Sequence, residues 1–140
     1  MTYFDEDLTN TLKKIGVVYK QLSESDHKKL IHQIQQKVIF IGNQIDWSTL
    51  KNPCNLNSIE KTNALTQISE KLKTLATQNV IFLGDSAIDH AYSIEISDIK
   101  EAVDIFSEIP QHTYIFPENL RWIACLSLEG HIDYADFPED

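Results

Sequence analysis

The chain has 140 residues, of which 42% are hydrophobic, four glycines, and a formal net charge of −9 at pH 7. A chain of that size and apolar content suits one compact domain, burying about 68% of its unfolded surface without cross-links. So few glycines argue against a phosphate-wrapping nucleotide loop, and no run approaches the roughly 18 apolar residues that a membrane span needs. Residues 1–8 are acidic and lack a basic and then apolar leader pattern, and Cys54 and Cys125 follow no CxxC or dense spacing. A cytoplasmic protein with two free thiols is the expectation.

Charge is segregated along the chain. Residues 80–140 hold thirteen of the 21 carboxylates against only Lys100 and Arg121, about −11 net, whereas residues 1–79 carry eight against ten lysines, about +2. The second part repels nucleic acid and anionic lipid and attracts cationic surfaces over a Debye length of about 8 Å. The partner class implied is a basic protein. Direct nucleic-acid contact, membrane contact and a cofactor are not expected, and the free chain is expected to be a monomer.

In chain order, Leu8, Leu12, Ile15, Tyr19 and Leu22 recur at helical spacing behind Asp5, Glu6 and Asp7, whose charges suit a helix N-terminus, and predict a helix over residues 7–22. Ser25 or Asp26 caps a second helix, in which Leu30, Ile34, Val38, Ile41 and Ile45 keep the period as far as Asp46, although residues 38–41 also read as a strand. Residues 47–57 read as loop because Asn52 precedes Pro53. A third helix follows, with Asn57 as cap, Glu60 at the capping-box position, and Leu65, Ile68, Leu72 and Leu75 as its apolar stripe.

From residue 79 the pattern turns to strands, at residues 80–83 and 92–96. Ser97 then caps a helix with Ile99, Ala102, Val103 and Phe106 on one side and Asp98, Glu101, Asp104 and Glu108 on the other, an anionic ridge. Three more strands are expected at residues 112–116, 121–128 and 131–137, with turns at 117–119 and 129–130. The expected class is α+β: a helical part (1–78) and an acidic β-rich part (79–140) of one domain, in the order ααα-ββ-α-βββ, with helices packed on a mainly antiparallel sheet.

Catalytic signals are sparse. Gly84-Asp85-Ser86 after a strand looks like the nucleophile block of GDSL-type esterases, but the Gly-x-Asn-Asp block is missing and none of His90, His112 and His131 has an Asp three residues before it. Asp85, Asp89 and His90 match no metal-site spacing, and His27 and His32 are five apart, off a shared helix face. No catalytic or metal-binding residue is assigned. Tyr114, Phe116, Trp122, Tyr134 and Phe137 cluster in the last strands, as interface anchors or as core; Trp122, Ala124, Leu126 and Leu128 share one strand face, which places Trp122 in the core.

The segment from Tyr114 to Trp122, with its Phe116-Pro117 pair, then Ala124-Cys125-Leu126 and Glu129-Gly130-His131-Ile132-Asp133-Tyr134, resembles the closing β-meander of small bacterial immunity proteins. These belong to contact-dependent growth inhibition and related polymorphic toxin systems. The resemblance implies an acidic, cytoplasmic, non-enzymatic protein that neutralises one cognate toxin domain, often a nuclease, by covering its active site or substrate path. A phosphate-gripping nuclease is cationic, so carboxylates suit its inhibitor. The candidate contact residues are Asp98, Glu101, Asp104 and Glu108, together with Asp85, Asp89, Glu129 and Asp133. A small hydrolase using Ser86 and an adaptor subunit of a larger assembly are the alternatives.

Overall fold

The computed structural model describes residues 1–76 and 78–138. Seven strands form one sheet in the order β1-β6-β5-β7-β8-β9-β4, and every pairing in it is antiparallel. In chain order these are β1 (Tyr19–Gln21), β4 (Lys51–Asn55), β5 (Val80–Gly84), β6 (Tyr92–Ile94), β7 (Thr113–Pro117), β8 (Trp122–Leu126) and β9 (Ile132–Asp136). A separate hairpin of β2 (Phe40–Ile41) and β3 (Gln44–Ile45) lies between β1 and β4 in the chain. The α+β class and the β-β-α-β-β-β order of the second part follow the expectation; three segments of the first part do not.

The first helix, α1 (Tyr3–Ile15), stops well before residue 22. Gly16 takes the left-handed conformation (φ 80°) that closes a helix, and the β-branched Val17 and Val18 lead into β1. The second helix, α2 (Glu24–Lys37), is capped by Ser23 rather than Ser25 or Asp26, and ends where Val38, Ile39 and Ile41 favour extended backbone. Gly42, at φ 63°, supplies the tight turn of the β2–β3 hairpin, so residues 40–41 are strand. Pro53 does not prevent β4. It sits on an edge strand, where its missing N–H is tolerated, and the ladder with β9 is irregular between Lys51 and Cys54.

Both faces of the sheet are covered. Alternation along each strand sends Phe82, Ile115, Trp122, Ala124 and Tyr134 to one face, against α1, α3 (Lys61–Leu75) and α4 (Ile99–Phe106). Ile81, Leu83, Tyr114, Phe116, Ile123 and Cys125 go to the other, against Ile34 of α2 and Val38 and Ile45 beyond it. Two faces cost the strands their hydrophobic-polar alternation: β5, β7 and β8 are buried at every position. The aromatic cluster is core, with Tyr114, Phe116, Trp122, Tyr134 and Phe137 all buried. Glu60 itself caps α3 through the Thr62 and Asn63 N–H groups, while the Asn57 side chain accepts the Ile132 N–H.

Candidate functional site

Antiparallel pairing gathers loops at the two ends of the sheet. At one end lie the C-terminal ends of β5, β8 and β4 and the starts of β6, β7 and β9, as the pairs Gly84↔Thr113, Phe82↔Tyr92, Leu126↔Ile132 and Asn55↔Asp133 require. Asp85 and Asp89 of one loop therefore share this pole with Glu129 and Asp133 from a distant part of the sequence. Asp85 takes the His112 N–H (3.0 Å) and Ser86 hydroxyl (3.2 Å) on one oxygen. Asp133, directly opposite Cys125 in the ladder, accepts the Asn55 amide (2.8 Å). Burial raises its carboxyl above the ordinary value against the pull of Asn55 and His131. The Cys125 thiol is pushed up by burial first, then by the fields of Asp133, Asp85 and Glu129.

Glu129 lies 3.9 Å from His112 Nδ1, but that nitrogen accepts the Leu128 N–H (2.9 Å) and so carries no proton to offer. The contact is a near approach rather than an ion pair. Hydrogen bonding to its own backbone N–H is the main influence holding Glu129 below the usual carboxylate range. Among the described residues, none of Asp85, Asp89, Glu129 and Asp133 pairs with a lysine or arginine.

Beside Asp89 lies a buried polar cluster that the pattern of residues did not reveal. Asp5, fully buried, accepts the Asp89 N–H (2.8 Å), the Tyr92 hydroxyl (2.6 Å) and the Thr2 hydroxyl (2.9 Å). It stitches α1 to the β5–β6 loop and to β6. Burial raises its pKa, but these hydrogen bonds outweigh burial and leave it lowered; burial and Asp5 together push the Tyr92 hydroxyl up. His27, on the first turn of α2, is buried with no partner for Nδ1, and burial depresses it against the pull of Asp89 and Asp5. Asp5 could be read beforehand only as one of three acids at a helix start.

The ridge on α4 is not the continuous field that helical spacing suggested. Asp98 lies before the helix and accepts the Val18 N–H (2.8 Å). Asp104 is held by Lys100 on the same helix (2.6 Å), and Glu108 lies 3.9 Å from Lys61 of α3. Glu101 alone of the four is exposed without an ion-pair partner among the described residues. Helix geometry itself supplied the compensating cation, because i and i+4 are neighbours.

The Gly84-Asp85-Ser86 turn has a structural explanation at each position. A Cβ on Gly84 would meet the Gln111 side chain at 2.2 Å, and the buried Gln111 accepts the Ala87 N–H (2.9 Å). Asp85 ties the loop to His112, and the Ser86 hydroxyl donates to Asp85 rather than to a histidine. No group of three or more His, Cys, Asp or Glu able to hold a metal occurs among the described residues, and both cysteines are free. No described helix is long and apolar enough to cross a membrane. Comparison with protein-family models, curated proteins and solved structures finds no match to the chain.

Proposed function

We propose that this chain is a non-enzymatic immunity protein, which binds a basic toxin domain, a nuclease in particular, at the pole formed by Asp85, Asp89, Glu129 and Asp133. The observation that supports this reading is that four carboxylates from two loops and a strand start share one end of the sheet without a lysine or arginine partner among the described residues, whereas Asp104 of α4 and Glu108 just beyond it have one each. Uncompensated charge at a fixed position is what steers a cationic partner, raising association towards about 10⁸ M⁻¹s⁻¹ at low salt. The sheet framework holds these loops in place, so little ordering entropy opposes docking.

The test is to express the chain with the protein encoded immediately upstream, and to measure rescue from toxicity and complex formation. Asp85→Lys with Glu129→Lys should slow association at least tenfold and flatten its salt dependence, while Glu101→Lys on α4 should change it less than threefold. Equal effects would move the docking surface to the ridge. Rescue without a complex would sink the inhibitor reading.

A further inference from the structure

The opposite end of the sheet has a different character. There β5 and β8 begin, β7 and β9 finish, α2 and α3 run out, and an open groove of about 880 Å³ lies between them. Three cations line it: Lys37 at the end of α2, Lys51 at the start of β4, and Arg121, the sole arginine of the chain. Among the described residues none of the three is within ion-pair distance of a carboxylate. Of the two acids in the wall, Asp136 is already engaged, one oxygen taking the Tyr134 hydroxyl (2.5 Å) and the other the Asn52 amide (3.1 Å); Glu118 stands on the β7–β8 turn. Three cations against the two carboxylates leave this lining net positive by one charge in a protein of net charge −9.

The backbone at this groove is held in uncommon conformations. Asn52 (φ 53°) and Leu120 (φ 52°) are the non-glycine residues in the left-handed region, and both line it. That conformation is costly for a branched side chain, and it persists where the surroundings enforce it. Leu120 packs into the α2-side core, and its turn fixes Arg121: the Arg121 N–H donates to Asn119 Oδ1 (3.2 Å) and its carbonyl accepts the Phe137 N–H (2.9 Å). The Arg121 main chain is thus pinned on both sides, which fixes where its side chain leaves the backbone, and that side chain is exposed with no carboxylate partner among the described residues.

We propose that this groove binds an extended acidic segment of another protein, with Arg121 gripping a carboxylate through two of its guanidinium nitrogens and Lys51 and Lys37 flanking it. A peptide fits better than a polyanion. Three cations beside Glu118 cannot offset a phosphate backbone against the rest of the molecule, whereas the amide side chains of Asn52, Gln78, Asn79 and Asn119 in the wall match a peptide main chain. The groove lies about 17 Å from the acidic pole, the length of a five-residue strand, and it does not depend on the reading of that pole.

The test titrates the full chain at low salt with a blocked tetraglutamate peptide, followed by calorimetry and amide chemical shifts, with blocked tetraglutamine, citrate and phosphate as further arms. Saturable binding of tetraglutamate is expected, with shifts at Asn52, Asn119 and Arg121 and at least tenfold weaker binding of tetraglutamine. Arg121→Gln should weaken the peptide tenfold or more, and Arg121→Lys several-fold through loss of the fork alone. Unchanged affinity in Arg121→Gln, or shifts confined to other surfaces, overturns the proposal. Citrate or phosphate binding as tightly as the peptide overturns the peptide assignment, and concentration-dependent self-association that masks the groove overturns it in favour of a second copy.

Discussion

Removing the Asp5 carboxylate tests whether the acidic pole is built on a buried anchor. Asp5→Ala leaves the Asp89 N–H and the Tyr92 hydroxyl without their acceptor, in a site where Asp5 itself is 0% exposed. Each stranded donor costs about 1–3 kcal/mol, and relief from burying a charge returns part of that, so a net loss of about 3 kcal/mol is expected. For a 140-residue chain the unfolding entropy is about 0.29 kcal/mol/K, which converts that loss to about 10 °C in Tm. Asp5→Asn keeps the shape and one acceptor, and should lose about half as much. The pH dependence separates charge from shape. Because the folded pKa of Asp5 is depressed, its contribution is complete above the unfolded value of about 3.9 and disappears as pH falls through the lower folded value. The gap between wild type and Asp5→Asn should therefore be full at pH 7 and close in acid. Calorimetric scans from pH 7 down to pH 2.5 measure both quantities; a Tm change below about 3 °C for Asp5→Ala at pH 7 would refute the anchor.

Gly84→Ala should cost about 1–2 kcal/mol by displacing Gln111, and the Gly84→Ala, Gln111→Ala pair should be less destabilised than the two single changes summed, as a denaturant double-mutant cycle reads out. His27 has its folded pKa depressed by burial, so stability is full above about pH 6.5 and falls as pH drops below it. His27→Leu removes the unpartnered Nδ1, should leave Tm at pH 7.5 unchanged or raised, and should flatten the profile below about pH 6.5. Ser86→Ala should stay within about 0.5 kcal/mol of wild type by denaturant titration and leave partner affinity unchanged.

What the amino-acid pattern revealed depended on how local each determinant was. The strands at Val80–Gly84 and Trp122–Leu126 and the helix through Ile68 and Leu72 were legible because period and burial coincide there. Helix α1 was read too long because Leu8, Leu12, Ile15, Tyr19 and Leu22 share a period that continues past its end, although Gly16 carried the stop. Strand β4 was hidden by Pro53, whose tolerance depends on being an edge strand, which is a property of the finished sheet and not of its own residues. Asp5 looked like any helix-start acid, because its partners Asp89 and Tyr92 lie more than eighty residues away.

The same distinction between local and topological proximity separates the α4 ridge from the strand-end pole as candidate docking surfaces. A helix places every carboxylate beside the residues three and four away, so one lysine, such as Lys100, quenches an acid such as Asp104 wherever the helix ends up. Loop acids have no such fixed neighbour, and the strand-start Asp133 faces Asn55 and Cys125 across the ladder. Asp85, Glu129 and Asp133 come together because β5, β8 and β9 terminate or begin at one level of an antiparallel ladder, and the groups they meet among the described residues are Asn55, Ser86, Cys125, the His112 N–H and the rings of His112 and His131, none of them a lysine or arginine. The field at that pole therefore survives folding, whereas much of the field expected of the helix face does not. An inhibitor that must attract a cationic surface before touching it gains from carboxylates which the fold has gathered without neutralising.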